Sequence, residues 1–569
     1  MLATRINANL GSLQAMVEAA LKEMASTRVV ARLWAKDHTL WKPEPTEIAN
    51  RLGWLKVAEQ MREQVGSLRA FAQSMRAAGF RHVVLLGMGG SSLGPEVLRC
   101  TFGSTRGYPR LWVLDSTVPG AVREVTQSIH PARTLFILAS KSGGTIEVLS
   151  LFSHFWNLVA RARGNTGGTQ FIAITDPDTG LASLARERRF RTTFLNPPDI
   201  GGRYSVLSYF GLVPMALLGH DLKTLVDRGI EMAEACRPTV LLENNPGACL
   251  GATMGILGRA GRDKITVITS PKVASFGLWV EQLLAESTGK EGRGLIPIAG
   301  EPMGVPSVYG KDRLFVYLRL DGDANVRGDQ HVKVLERAGQ PVIGLRLRDR
   351  YDLAAEFFLW EFATAVAGHF LGINPFDQPN VQESKENTNR ILEEVRARGR
   401  LSHKQVASRD GALADLLAKA APGRYLAILA YMAPSRQADE AIKALRQSML
   451  VRHHLPTTTG YGPRYLHSTG QLHKGGPNTG LFLQLIEHMT PDMRVPGAPY
   501  TFGTLAQAQA VGDFQSLQMH QRAVVAMRLG QQPISTIRAL ARVPRERGST
   551  RRRRSHRNRK PRTGRWRRR

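Results

Sequence analysis

SKSGGTIE, residues 140–147, is the stretch that decides the fold. The apolar run Thr134 to Ala139 precedes it and is typical of a buried strand, whereas the run Val148 to Ala162 that follows is typical of a buried helix. Small residues let the backbone approach an anion, and the N–H groups at a helix start point toward it. Three hydroxyls of this stretch can donate to anion oxygens: those of Ser140, Ser142 and Thr145. The pattern predicts a phosphate-binding turn between a strand and a helix; taken alone, it also fits an ordinary strand–helix turn.

A second loop of small residues follows another apolar strand, Arg81 to Leu86. It runs from Gly87 to Pro95 and resembles a dinucleotide-binding loop, but Ser92 stands where the third glycine belongs. A P-loop is also excluded, because no Gly-Lys in the chain is followed by Ser or Thr; Gly289-Lys290, for example, is followed by Glu291. Two such loops at the carboxyl ends of neighbouring strands predict one site for a monophosphate or a sugar at the rim of a parallel sheet.

Bulk composition indicates a globular protein of several domains. The chain has 569 residues, of which 43% are hydrophobic, so proper cores can form. Residues 1–10 lack the apolar core of a signal peptide, and no run reaches the roughly 18 apolar residues of a membrane helix. Cys100, Cys236 and Cys249 have neither disulfide nor metal spacing. We therefore expect a cytoplasmic protein without membrane contact.

The net charge of +30 is concentrated at the C-terminus. Residues 541–569 hold 14 Arg and 1 Lys against 1 Glu, which is +14 and leaves +16 for the rest. This segment cannot bury apolar surface, so residues 531–569 are predicted to be a disordered tail. It is either an arm for nucleic acid or another acidic surface, or a non-functional extension, and the abrupt change of composition near Gly530 favours the extension.

Hydrophobic periodicity predicts an α/β protein. Residues 1–80 read as helical, with helices at 13–24, 47–55 and 58–78, while 81–235 and 236–400 each alternate strands and helices, which predicts two parallel-sheet lobes. Residues 401–530 form a further α/β segment after a polar linker at 396–409. The predicted strands lie at 82–87, 111–115, 134–139, 170–175, 264–269, 314–320, 341–347, 425–432, 480–486 and 523–529.

Five motifs in order resemble the phosphoglucose isomerase family, whose two lobes are sandwiches of the sugar isomerase (SIS) type. They are Gly89-Gly90-Ser91, residues 140–147, Gly201-Gly202-Arg203-Tyr204-Ser205, Glu286-Ser287-Thr288-Gly289-Lys290 and Gly372-Ile373-Asn374-Pro375-Phe376-Asp377-Gln378, with Lys385 behind them. The chain to about residue 530 is most similar to the isomerase part of bifunctional transaldolase–phosphoglucose isomerases.

The resemblance implies a site for each step of an aldose–ketose isomerisation. Glu286 matches the catalytic base, Arg203 the arginine that stabilises the enediolate, and Lys385 the lysine that assists ring opening. Substrate contacts are implied for Gly90, Ser91, Ser140, Lys141, Ser142, Thr145, Gln282 and Gln378. Glu147 matches a structural partner within its loop. Each of the three catalytic residues could instead be a surface or salt-bridge residue.

The catalytic histidine departs from the family order. In the longer family members it lies between the glutamate base and the Gly-Ile-Asn motif, but here that interval holds only His331 and His369, and neither has the right flanks. The matching flank surrounds His467, downstream of Lys385, so we expect His467 to open the sugar ring, with His473 as the second candidate. A metal site built from these two and His453 and His454 is disfavoured, because the spacing fits no ligand pattern and the neighbours are basic.

The resemblance therefore implies interconversion of glucose 6-phosphate and fructose 6-phosphate through a cis-enediol(ate), without metal or organic cofactor. It also implies a homodimer with shared sites, since in the family the ring-opening histidine comes from the neighbouring subunit. Nucleic acid is expected to bind only through the basic tail, if at all. Two alternatives stay open: an SIS enzyme for mannose or amino-sugar phosphates, and a non-catalytic sugar-phosphate-binding regulator.

Overall fold

The computed structural model describes residues 6–398 and 411–542, apart from the side chains of Asn165, Lys385 and Arg398. The described chain opens with a short strand and three helices: β1 (Ile6–Asn9), α1 (Gln14–Ser26), α2 (Val29–Trp34) and α3 (Trp54–Ala77). The helix expected at 47–55 is wrong over most of its length, because α3 begins only at Trp54. Glu47 has a φ of 56°. A left-handed residue does not continue a right-handed helix.

The first sheet has five parallel strands in the order β3-β2-β4-β5-β6. They are β2 (His82–Gly87), β3 (Arg110–Leu114), β4 (Thr134–Ala139), β5 (Phe171–Thr175) and β6 (Thr192–Leu195). The helices of this part are α4 (Leu93–Phe102), α5 (Pro119–Ser128), α6 (Ile146–Arg163), α7 (Gly180–Glu187), α8 (Tyr209–Leu218) and α9 (Leu222–Ala235). Every residue of β4 is buried, as a strand covered on both faces requires.

The second sheet has the order β1-β10-β9-β7-β8, in which only β1 is antiparallel to its neighbour. Its other strands are β7 (Lys264–Thr269), β8 (Ile296–Ala299), β9 (Arg313–Leu320) and β10 (Val342–Leu347). The helices are α10 (Pro246–Arg259), α11 (Phe276–Thr288), α12 (Val326–Arg337) and α13 (Leu353–Leu371). Helix α13 is buried along almost its whole length, which explains its continuous apolar sequence.

Residues 411–542, called here the C-terminal unit, contain a third sheet of four parallel strands in the order β12-β11-β13-β14. These are β11 (Tyr425–Tyr431), β12 (Thr457–Tyr461), β13 (Gly480–Ile486) and β14 (Ala523–Arg528). The helices are α14 (Pro379–Arg398), which precedes the unit, and α15 (Ala412–Leu417), α16 (Arg436–His453), α17 (Gly470–Gly475), α18 (Phe502–Met519) and α19 (Pro533–Leu540). Helix α14 packs on α18. The predicted division near residue 400 stays a prediction.

The predicted α/β class with parallel sheets is confirmed. Sequence periodicity missed four strands, namely β1, β6, β8 and β12. Each has only four or five residues, and β12 reads Thr-Thr-Thr-Gly-Tyr, which has too few apolar residues to give a strand signal. Short strands of this kind are fixed by pairing with a neighbour, as β12 is by β11, and not by their own sequence.

The expectation of disorder from residue 531 is wrong for its first part. Helix α19 lies there, and its side chains Ile537 and Leu540 are buried in a core shared with α16 and β13. Residues 543–569, the rest of the predicted tail, lie outside the described residues, as do positions 399–410 of the predicted linker. No helix in the described ranges is long and apolar enough to cross a membrane.

Candidate active site

The loops predicted to hold substrate meet at the carboxyl ends of the first sheet. Gly89 has a φ of +55°, and a Cβ atom there would lie 2.5 Å from the carbonyl oxygen of His467. A Cβ at Gly90 would lie 2.0 Å from the carbonyl oxygen of Gly202. Only glycine permits both approaches. The loop after β2 therefore contacts the Arg203 turn (residues 201–205) on one side and the His467 segment (residues 464–471) on the other.

The turn after β4 has the compact form expected of a phosphate-binding loop. The Ser140 and Thr145 hydroxyls lie 3.0 Å apart, and the Gly143 N–H donates to Ser140 Oγ at 3.2 Å. Ser140 is buried, whereas Ser142 is exposed. Helix α6 begins at Ile146, directly after Thr145, and no side chain caps its first N–H groups. These groups and the hydroxyls are therefore arranged toward one end of the helix, where an anion is favoured.

Lys141 is held away from that turn. Its ammonium donates to the Asp176 carboxylate and, at 3.1 Å, to the carbonyl oxygen of Pro198. Burial raises the pKa of Asp176, and the Lys141 charge opposes that shift. In this arrangement Lys141 fixes the loop after β4 to the loop after β5, and its predicted contact with substrate stays a prediction.

Arg203 and Glu286 meet in the interior. Arg203 is 1% exposed and Glu286 is 6% exposed, and Arg203 Nη1 lies 3.3 Å from Glu286 Oε1. The other carboxylate oxygen, Oε2, accepts from Gln282 Nε2 at 3.0 Å. Gln282 and Glu286 are four residues apart on α11, so both side chains face the same way. The carboxylate is thus fixed by one cation and one amide.

The remaining donors of Arg203 bind α11 and the loop after α13. Nε donates to Ser287 Oγ at 2.7 Å, and Nη1 donates to Gln378 Oε1 at 2.5 Å. Nη2 donates to the carbonyl oxygens of Pro375 and Asp377 at 2.7 and 3.0 Å. All five N–H groups of the guanidinium are therefore used, as the planar fork of arginine allows.

Lys290 binds the same loop from the other side. Its ammonium donates to the carbonyl oxygens of Asn374 and Asp377 at 2.7 and 2.6 Å and to the Asp377 carboxylate. Burial, and next the charge of Arg203, lower the pKa of Lys290 to about 8. The two cations together fix the position of Gln378.

His467 reaches this region from the C-terminal unit. Its Nε2 lies 2.8 Å from Glu147 Oε1, and Gln509 Nε2 donates to the same oxygen at 2.7 Å. The backbone carbonyl of His467 accepts from Gln282 at 3.0 Å. A single glutamine side chain therefore links the Glu286 carboxylate to the His467 segment.

His473, the second candidate, lies in the core. It is 2% exposed, its ring packs against Phe482 and Tyr465, and neither ring nitrogen has a hydrogen-bond partner among the described residues. Burial lowers its pKa well below the usual value, so the ring is neutral. In the described ranges no group of three or more His, Cys, Asp or Glu side chains is placed to hold a metal ion.

A cavity of about 90 Å³ lies between the phosphate-type turn and the His467 segment. Its walls include Gly144, Thr145 and Glu147 from the turn, Val381, Ser384 and Thr388 from α14, and Leu466, His467 and Gln509 from the C-terminal unit. Lys385 belongs to the same helix, but its side chain lies outside what the structure describes. Of the other predicted residues, Ser91 is buried and Gly90 half-buried beside the Arg203 turn.

Comparison with known proteins points to one family. A sequence model of phosphoglucose isomerase matches residues 49–293. The chain is 29% identical over 425 residues to glucose-6-phosphate isomerase of Rubrobacter xylanophilus, which covers 65% of this chain and 94% of the relative. It is 27% identical over 395 residues to the enzyme of the same name from Carboxydothermus hydrogenoformans, covering 60% and 85%.

These matches make the chain similar to the phosphoglucose isomerase family. Two solved structures share its fold. A hypothetical protein from Thermus thermophilus has a TM-score of 0.59 and 23% sequence identity, and the match covers 68% of this chain and 99% of that one. A glucose-6-phosphate isomerase from Chlamydia trachomatis has a TM-score of 0.57 and 17% sequence identity, and the match covers 67% of this chain and 86% of that one. The matched residues 49–293 include Arg203 and Glu286 and end before Gln378 and His467.

Sequence reasoning missed two residues of this candidate site. Gln509 contacts Glu147 across more than 300 residues of sequence, and α18 carries no local motif that could have revealed it. Lys290 is the last residue of the Glu286–Lys290 motif, but no role for it was predicted from the sequence. Glu147, expected to act within its own loop, instead pairs with His467.

Proposed function

We propose that this chain interconverts glucose 6-phosphate and fructose 6-phosphate, as its relatives' names indicate for them. The observation that carries the proposal is the buried Glu286 carboxylate, held between Arg203 and Gln282 and joined through Gln282 to the backbone of His467. A fixed carboxylate beside a cation suits a reaction that moves a proton next to a developing oxyanion.

Glu286 is the proposed base for the isomerisation itself. Its carboxylate takes the proton from C2 of the open-chain aldose, which leaves an enediolate. The carboxylate returns that proton to C1, and the proton on O2 moves to O1, which gives the ketose. The oxygen that gains negative charge in this step is stabilised by the nearby positive charge of Arg203. Gln282 donates to Glu286 and Gln378 accepts from Arg203, so the two glutamines hold the base and the cation in position.

His467 is the proposed acid and base for opening the sugar ring. Glu147 accepts a hydrogen bond from its imidazole, which fixes the ring orientation and stabilises the imidazolium that forms when a proton is gained. Lys385, assigned to the same step by the family resemblance, lies on the helix that lines the cavity. Ser140, Ser142, Thr145 and the start of α6 are proposed to bind the phosphate.

The alternatives raised by the sequence are not favoured. A regulator that only binds sugar phosphate has no need for a buried carboxylate fixed by two partners. An SIS enzyme for mannose or amino-sugar phosphates would share the phosphate loop, so substrate choice distinguishes it. Mannose 6-phosphate and glucosamine 6-phosphate belong in the same assay as competing substrates.

A coupled assay tests the proposal directly. Purified protein receives fructose 6-phosphate, and glucose 6-phosphate formation is followed by a dehydrogenase. We expect robust turnover, and a fall in kcat of about 10²–10⁴-fold for Glu286→Gln, the usual contribution of a positioned proton-transfer group. The matched control is Glu124→Gln, the same change at an exposed position of α5.

Binding separates a lost base from a lost fold. Gln has the shape of Glu, and its amide oxygen can still accept from Arg203, so Glu286→Gln should bind fructose 6-phosphate with nearly unchanged affinity in calorimetry. Wild-type protein that binds sugar phosphate without turning it over would contradict the proposal. Equal loss of binding and turnover in the variant would move Glu286 from base to binding residue.

The activity would place the chain in glycolysis and gluconeogenesis. We propose a cytoplasmic location, since Cys100, Cys236 and Cys249 are all free thiols and a reducing compartment keeps them so. The homodimer implied by the resemblance is proposed as well. Cell fractionation and light scattering during size-exclusion chromatography measure these two properties.

A further inference from the structure

We infer that one chain supplies Glu286, Arg203 and His467 to the same site, with His467 supplied in cis by the C-terminal unit. This replaces the expectation that the histidine comes from a neighbouring subunit. It rests on the proposed function for the meaning of the site, but the contact between His467 and Glu147 of the same chain stands on geometry alone.

The His467 segment is anchored to the first sheet by buried polar contacts. Arg464 makes a two-pronged salt bridge to Asp115, just beyond β3, at 2.7 and 2.8 Å. Asp115 is 2% exposed, so this pair is removed from solvent. Gln509 adds a hydrogen bond from Thr117 at 2.9 Å. Such geometry fixes an interface more strictly than apolar contact does.

The same segment is anchored to the second sheet. Gln471 donates to the carbonyl of Gly289 at 3.0 Å, one turn beyond Glu286. Further from the site, Arg446 donates to the carbonyls of Ala299 and Gly300 at 2.8 and 3.0 Å. Arg446 is 4% exposed. The histidine is therefore held between both lobes by contacts within one chain, and no surface of a second copy is needed to place it.

Complementation between two inactive variants distinguishes cis from trans supply. Glu286→Gln and His467→Asn chains, each with its own affinity tag, are co-expressed and hybrids are isolated through both tags. If the histidine acts in cis, every site of the hybrid carries one defect and activity stays at the level of the parents. If it acts in trans, one of the two sites is intact and about half of wild-type activity returns.

A cross-link gives a readout that does not depend on activity. A Cβ at Gly120 of α5 would lie 2.9 Å from Cβ of Ala433 in the C-terminal unit, so Gly120→Cys with Ala433→Cys brings two thiols within reach of a short bifunctional thiol reagent. Cis supply predicts a cross-linked product of monomer mass, and trans supply predicts one of dimer mass. The two single-cysteine variants control for the native thiols.

The outcomes separate this inference from the proposed function. A wild-type monomer with full turnover, an inactive hybrid or an intrachain cross-link supports cis supply. A half-active hybrid or an interchain cross-link overturns it. An intrachain cross-link in a protein that lacks isomerase activity would instead refute the proposed function and leave the cis contact in place.

Discussion

Lys290 is a buried cation whose charge is coupled to the position of the site. Below pH 8 its ammonium holds the loop that presents Gln378 to Arg203. As the pH rises through about 8, the lysine in the folded protein loses its proton and its attraction to the Asp377 carboxylate. We therefore expect kcat/KM of the wild type to decline with a midpoint near pH 8.

Lys290→Arg is the informative variant, because guanidinium keeps its proton at these pH values. We expect its alkaline decline to move to higher pH, with folding checked by circular dichroism. If the decline of kcat/KM stays near pH 8 in this variant, the decline is caused by another titrating group. The free energy of unfolding should change in the opposite sense. The pKa of Lys290 in the folded protein lies below its unfolded value of 10.5, so the unfolded chain binds more protons between about pH 8 and 10.5. The contribution of Lys290 to stability therefore rises with pH over this range.

Glu147 is expected to act through His467. In Glu147→Gln the imidazole loses its anionic partner, so kcat should fall by about tenfold or more, and by no more than the ~10²–10⁴-fold that a positioned proton-transfer group contributes. The specific readout is interconversion of fructose 6-phosphate anomers, measured by NMR exchange. We expect that rate to fall in Glu147→Gln and to persist in Glu286→Gln, which retains the ring-opening groups. Persistence in both would separate His467 from ring opening.

At the scale of elements, α19 shows how composition can mislead. Because of the basic residues that follow α19, the whole region from residue 531 was predicted to be a disordered tail. Ile537 and Leu540 are nevertheless buried in the core of the C-terminal unit. Two buried side chains in one short helix are enough to fix it there. Burial of a large aliphatic side chain contributes about 1.5–3 kcal/mol.

Truncation measures the contribution of α19. A chain ending at Gly530 should lose about 2–5 kcal/mol of stability in urea unfolding, the cost of removing buried aliphatic side chains, whereas a chain ending at Arg542 should match the wild type. Ile537→Ala should lose part of the same amount. Equal stability of both truncated chains would show that α19 does not contribute to the fold.

At the scale of the molecule, the C-terminal unit contributes side chains to the candidate site and is anchored beside it by Arg464. Arg464→Met leaves the buried Asp115 carboxylate without its partner, so we expect a loss of about 3–5 kcal/mol in the free energy of unfolding together with lower kcat. The control is Arg436→Met, because the side chains of the Arg436–Glu440 pair are 92% and 54% exposed and such pairs contribute little. Similar effects in both variants would contradict the anchoring role of Arg464.

The α/β class and the strongest strands were predictable because long apolar runs bounded by turns leave few alternatives, as in β4 and β11. Helix α13 was predictable for the same reason. The short strands were not, because they depend on partners far away in sequence. Motif resemblance placed Arg203, Glu286 and Gln378 in one site, and the structure brings these three into direct contact. The roles of the predicted site residues stay predictions.

The sequence by itself determined the sheet class, the phosphate-type turn and the family, because these depend on local pattern and on motifs in order. Only the tertiary structure decided which partners surround the reactive groups: His467 on Glu147, Lys290 on the Asp377 loop, and His473 in the core. Hydrogen bonds join residues up to 392 positions apart, such as Thr117 and Gln509, and a local sequence pattern cannot indicate contacts over such a separation.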